Sequence, residues 1–161
     1  MALDPAFIAD SFYTPEGLLF DTILEVDHEN SRVVARMATH SNLPLTNTQR
    51  VDPQRHPAHV NGGLMVHLTG MVAYAHFYYV FGLRHADGWV GFGARIHNAR
   101  FVALAPPGVP LDLECRCTQN RQSETRILAR YDFRFMQAGN LVYRSDQSAL
   151  WMKTDNDLNS V

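Results

Sequence analysis

The run LMVHLTGMVAYAHFYYVF, residues 64–81, is apolar nearly all round, and that constrains the rest of the chain. Only His67, Thr69, Gly70 and His76 interrupt it. As a helix it would be about 27 Å long, close to the length of a membrane span. Two histidines, the lack of flanking basic clusters, and strand-like polar sequence on both sides argue against a span. A helix apolar on every face and outside lipid must be wrapped by other elements. The remaining residues have to supply the wrapping.

They read mostly as strands. Residues 1–18 form a short helix or irregular lead-in, with Pro5 and Pro15 as breakers. LLFDTILEVDHENSRVVARMAT (18–39) reads as two strands joined at DHEN. HSNLPLTNTQRVDPQRHPAHVNGG (40–63) is a long, polar, turn-rich connection, and such connections are often functional. Beyond GLRHADG come four strands: WVGFGARIHNARFVAL, VPLDLECRCTQNR, ETRILARYDFRFMQ and NLVYRSDQSALWMK. APPGVP separates the first two, and QAGN makes a hairpin between the last two. The tail TDNDLNSV is polar and expected to fray. The order is two strands, one buried helix, then four antiparallel strands. This predicts a single α+β domain over residues 1–161.

Composition supports a packed core and narrows the partners. Of 161 residues, 46% are hydrophobic and 19% charged, which suits a folded domain. The formal net charge of −2 offers no basic footprint for nucleic acid. The N-terminal residues lack a basic region followed by an apolar one, so no signal peptide is expected. Cys115 and Cys117 lie two apart in an alternating segment and point to one side of a strand. Two cysteines do not make a four-ligand zinc site; they read as small core residues in a reducing, cytoplasmic setting.

A strand pair, a loop ending in Asn61-Gly62-Gly63, one apolar helix and the stretch NARFVALAPPGVPLDLECRC resemble the hot-dog fold superfamily over residues 19–153. The resemblance implies an antiparallel sheet wrapped around one long central helix, edge-to-edge dimers or higher homo-oligomers, and activity on acyl thioesters. PaaI-like thioesterases carry His-Gly-Gly and an acid seven residues beyond the second glycine. Here Asn61 stands for the histidine, and the acid position falls on Gly70. FabZ-like and FabA-like dehydratases carry a loop histidine, a Pro-Gly and an acid five residues beyond that glycine; matched on Gly62, that position is His67. The dehydratase histidine would fall near Pro53, with His56 or His59 as substitutes. No Asp or Glu occurs between Asp52 and Asp87, so the helix has no carboxylate.

The residues near the helix start have chemistry of their own. Gly62 and Gly63 let a ligand approach the backbone. Free N–H groups at the positive end of the helix would then face a thioester carbonyl as an oxyanion hole; a tight turn is the plainer alternative. Asn61 orients a water or carbonyl, caps the helix, or does both. His67 and Gly70, three apart, share a helical face. His67 there is either a general base with room left in front by Gly70, or a core histidine bonded to a backbone carbonyl. His56 and His59 either reach the site or are solvated. The three histidines lack a metal-ligand spacing, so no metal is expected. His76 faces the opposite side and is expected to be structural.

In a regular strand Arg95, His97 and Ala99 share one face, and Ile96, Asn98 and Arg100 the other. Arg100 is a candidate for the phosphates of coenzyme A or a phosphopantetheine arm, with a solvated strand face as the alternative. Phe77, Tyr78, Tyr79, Phe81, Trp89 and Phe92 either line an acyl tunnel or are core. Taken with the resemblance, these residues predict a thioesterase of acyl-CoA or acyl-carrier-protein substrates, in fatty acid metabolism and without a cofactor beyond the carrier of the substrate. A 3-hydroxyacyl dehydratase or hydratase, or a non-catalytic acyl-thioester-binding protein, are the alternatives.

Overall fold

A computed structural model describes residues 1–154; the rest of the polar tail lies outside the described residues. Six antiparallel strands make one sheet, ordered β1-β2-β4-β5-β6-β3. They are β1 (Thr22–Asp27), β2 (Arg32–Met37), β3 (Trp89–Phe101), β4 (Leu111–Gln122), β5 (Arg126–Gln137) and β6 (Asn140–Lys153). Helices α1 (Pro5–Asp10) and α2 (Gly62–Tyr79) complete the main elements.

The expected wrapping is present. Along α2, Leu64, Met65, Leu68, Thr69 and every residue from Met71 to Tyr78 are buried. The inner sheet face meets them with alternating residues, among them Leu111, Leu113, Cys115 and Cys117 of β4 and Ile127, Ala129, Tyr131, Phe133 and Phe135 of β5. Both cysteines are free and buried as expected. No helix among the described residues is long and apolar enough to cross a membrane.

Pro5 and Pro15 open helical turns rather than break them. Pro5 begins α1, behind Asp4, whose carboxylate accepts from the Ala6 N–H at 2.9 Å. Pro15 begins a 3-10 turn. A proline is suited to a first helical position, where its missing N–H has no intrahelical acceptor to lose. The β5–β6 hairpin turns through Ala138 and Gly139, both at positive φ (48° and 80°).

β3 departs from simple alternation. Its register against β6 shifts between Gly93 and Arg95 and again between Ile96 and Asn98. Each shift inserts one extra residue and resets the faces. Arg95, Asn98 and Arg100 therefore lie opposite Ser148, Asp146 and Arg144. Ile96 and Ala99 lie opposite Gln147 and Ser145. The grouping expected of a regular strand does not hold. β3 is also one of the sheet's two edge strands, and Phe92, Ile96 and Phe101 on it are half exposed or more.

Candidate functional site

The buried helix has one open stripe. Gly63, His67 and Gly70 are exposed, at i, i+4 and i+7, and His67 and Gly70 face the β3 edge. Beside Gly70 a cavity of about 250 Å³ runs between α2 and the sheet. Its floor is apolar and aromatic: Tyr74, Tyr131, Phe133 and Trp151, with Ala73 and Gly91. Its neck holds Tyr13, Thr69, Gly70, Gly93, Gln147 and Ser148, which it shares with an outer depression that reaches His67, Arg95 and Ile96. The Trp151 ring is fixed by stacking on Phe77 at 4.2 Å and by donating from Nε1 to the Tyr131 hydroxyl at 3.1 Å.

The neck is polar but carries no carboxylate. Thr69 Oγ1 donates to the Val66 carbonyl at 2.6 Å and stands 3.3 Å from Gln147 Oε1. Gln147 Nε2 donates to Ser145 Oγ at 2.9 Å. Tyr13 meets the His67 ring edge-on at 5.7 Å. Burial raises the pKa of the Tyr13 phenol, so it holds its proton.

Most of the residues singled out in the loop gather elsewhere, at the helix start. Asn61 is the cap of α2, and its Oδ1 accepts from the Gly63 N–H at 2.7 Å. That occupies one of the N–H groups proposed for an oxyanion. The Gly62 N–H donates to nothing among the described residues. Gly62 lies against Phe101: a Cβ there would come within 2.9 Å of the ring. A depression of about 170 Å³ at this end is lined by His59, Gly62, Met65, Phe101 and Leu104, among others. His59 Nδ1 lies 2.8 Å from the Pro57 carbonyl and His56 Nδ1 3.0 Å from the Arg50 carbonyl, contacts that place a proton on each Nδ1. The His56 and His59 rings meet edge-on at 5.0 Å. His56 is exposed and borders neither cavity.

Thus the structure brings His67 and Gly70 to one cavity, and His59, Asn61, Gly62 and Gly63 to another place. Gly62 and Gly70 are separated by about 12 Å along the helix axis. Arg100 lies on the outer sheet face, in register with Arg144 and, through it, Arg134. It borders a depression with Asn98, Arg144 and Asp146, across the sheet from the aromatic cavity.

Solved structures share this fold. A variant of a thioesterase from Pseudomonas aeruginosa matches with a TM-score of 0.62 at 14% identity, over 92% of each chain. The chain has the hot-dog fold. A second hot-dog structure, a putative thioesterase related to phenylacetic acid degradation from Ralstonia eutropha, matches with a TM-score of 0.53 at 19% identity, over 80% of this chain and 83% of that one. The dehydratase heterocomplex of Xenorhabdus doucetiae matches with a TM-score of 0.62 at 12% identity, over 94% of this chain and 90% of that one. At these identities the likeness is one of fold. No protein-family model and no curated protein matches the sequence.

Within this hot-dog frame the expected tunnel aromatics are displaced. Of the six candidates, only Phe92 borders the cavity; Phe77, Tyr78 and Trp89 are buried core. The lining comes instead from β5, β6 and the residues before β1, which meet α2 only after folding. Phe12 and Tyr13 were part of a segment expected to be a mere lead-in. That segment is tied down by Asp10, which accepts from the His85 and Ala86 N–H groups at 2.8 Å and from the Tyr74 hydroxyl at 2.7 Å. Burial acts to raise the Asp10 pKa, but the bonds from Ala86, Tyr74 and His85 outweigh it and the net shift is downward. The contact between His97 and Ser148 also escaped the sequence reading: His97 is an extra residue of a bulge, and its Nε2 lies 2.7 Å from Ser148 Oγ.

Proposed function

We propose that this protein hydrolyses acyl thioesters, with the acyl group in the aromatic cavity and the thioester at its neck. One observation carries the reading: an apolar cavity opens through a polar neck onto the single exposed stripe of an otherwise buried helix. A cavity of about 150 Å³ is known to hold benzene. The 250 Å³ here suits a short acyl chain or a single ring with a few methylenes.

In this reading a water in the outer depression attacks the thioester carbon while His67 takes its proton. The oxygen–carbon bond forms, the carbon–sulfur bond breaks, and the leaving thiolate recovers the proton from the His67 imidazolium. The Gly62 N–H is too far along its own helix to reach a carbonyl at Gly70. A second copy joined along β3 would bring its own helix start toward the neck, and the exposed Phe92, Ile96 and Phe101 give such a joint apolar surface. The row of Arg100, Arg144 and Arg134 gives the outer face a place for the phosphates of the carrier, coenzyme A or a carrier protein's phosphopantetheine.

The test is incubation with a panel of short and aromatic acyl-CoAs. Thiol release is the expected result. A change in enoyl absorbance without thiol would instead mean dehydration or hydration. The lack of any carboxylate at the neck favours one further reading, binding without chemistry, whose sign is saturable binding and no turnover.

A further inference from the structure

Tyr13 stands where a ligand would enter, and the helix does not supply it. The residue comes from the segment between α1 and β1, and it borders the aromatic cavity, the outer depression and a groove beside α1. It is the only ring at the neck that carries a hydroxyl. That oxygen lies 3.6 Å from the point a Cβ would occupy on Gly70, so it fills the space before the glycine. It has no hydrogen-bond partner among the described residues; only the Tyr13 N–H is engaged, with Ser11 Oγ at 3.0 Å. The other polar side chains of the neck are engaged with one another or with the backbone: Thr69 with Val66, Gln147 with Ser145, Ser148 with His97. A half-buried phenol with a spare proton at the mouth of an apolar cavity is a donor awaiting an acceptor.

We propose that the Tyr13 hydroxyl donates a hydrogen bond to the carbonyl oxygen of the acyl group at the neck, the donor that each protomer supplies to its own cavity. This rests on the acyl-thioester reading above. As water adds, negative charge grows on that oxygen, and a fixed donor in a water-poor site stabilises it more than it stabilises the substrate. Tyr13 transfers no proton; the proton from water goes to His67. Burial keeps the phenol protonated, so the donor persists above neutral pH.

The test compares the wild type with Tyr13→Phe, which keeps the ring against His67 and removes only the hydroxyl. Two readouts are taken. The first is acyl-CoA hydrolysis, where kcat/KM is expected to fall about 100-fold, about tenfold of it through a higher KM and the rest through kcat. The second is affinity for two inert analogues, one in which CH2 replaces the thioester sulfur and the carbonyl remains, the other a thioether without a carbonyl. The variant is expected to bind the ketone about tenfold more weakly and the thioether as the wild type does. Equal affinities of the two proteins for the ketone overturn the proposal, as does an equal weakening of both analogues, which would mark Tyr13 as a packing residue. Wild type that binds the analogues but releases no thiol would sink the hydrolase reading, while the ketone comparison would still decide Tyr13.

Discussion

Gly91 of β3 lies against the face of Trp151 of β6: a Cβ on Gly91 would fall 2.2 Å from two carbons of the indole. The tryptophan cannot retreat freely, because Phe77 stacks on it and Tyr131 accepts its N–H. The missing side chain at 91 therefore sets where the floor of the cavity stands.

Gly91→Ala is expected to destabilise the protein by about 1–3 kcal/mol, the usual cost of overpacking. Thermal unfolding should fall by several degrees. Because the ring must shift toward the cavity, affinity for an acyl-thioester analogue should fall too. An unchanged melting point would mean that β3 moves aside at little cost.

His76 makes stability depend on pH. Its ring is fully buried, Nε2 donates to the Ser31 carbonyl at 2.9 Å, and Nδ1 has no partner among the described residues. Burial, opposed only by the bond to Ser31, pushes its pKa down to about 4 from 6.5. The unfolded chain takes up this proton near pH 6.5, the folded chain only near pH 4. Stability from this residue is whole above pH 6.5 and is lost as pH falls toward 4, by on the order of 3 kcal/mol. Urea midpoints at pH 7.5 and pH 5 check this; the drop should be smaller in His76→Leu.

Asp10 holds the segment that forms one wall of the neck. Asp10→Ala leaves the His85 and Ala86 N–H groups without their acceptor and Tyr74 with the Asp10 backbone carbonyl alone. A loss of about 1–3 kcal/mol is expected. Amide exchange should quicken over residues 5–17 before it does in β4 and β5. Uniform quickening would mean that the segment is part of the global core.

The proposed dimer has its own test. Ile96, half exposed on the β3 edge, would sit within the joint. Ile96→Lys places a charge there, and sedimentation should show a dimer becoming a monomer, with thiol release reduced. A wild type that sediments as a monomer would remove the second copy from the mechanism.

Much of this architecture was legible because its signals are local. The all-round apolar run fixed α2 to within two residues at each end, and QAGN marked its hairpin. Asn61 was readable as a helix cap from its type and place. What escaped was non-local. The two bulges of β3 arise from pairing with β6, and no periodicity within residues 89–101 announces them, so the faces of Arg95, His97 and Ala99 came out wrong. The cavity is lined by Tyr13, Gly70, Phe133 and Trp151, which are far apart in the chain. A spaced glycine such as Gly91 hints at close approach, but it does not say to what.

The central claim is where the acyl group goes, and a crystal structure with an inert acyl-CoA thioether measures it most directly. The expected result is acyl carbon among Tyr74, Phe133 and Trp151, with the sulfur beside Gly70 and Tyr13. Acyl density beside Phe101 and Leu104 at the helix start, with the aromatic cavity empty, would contradict it.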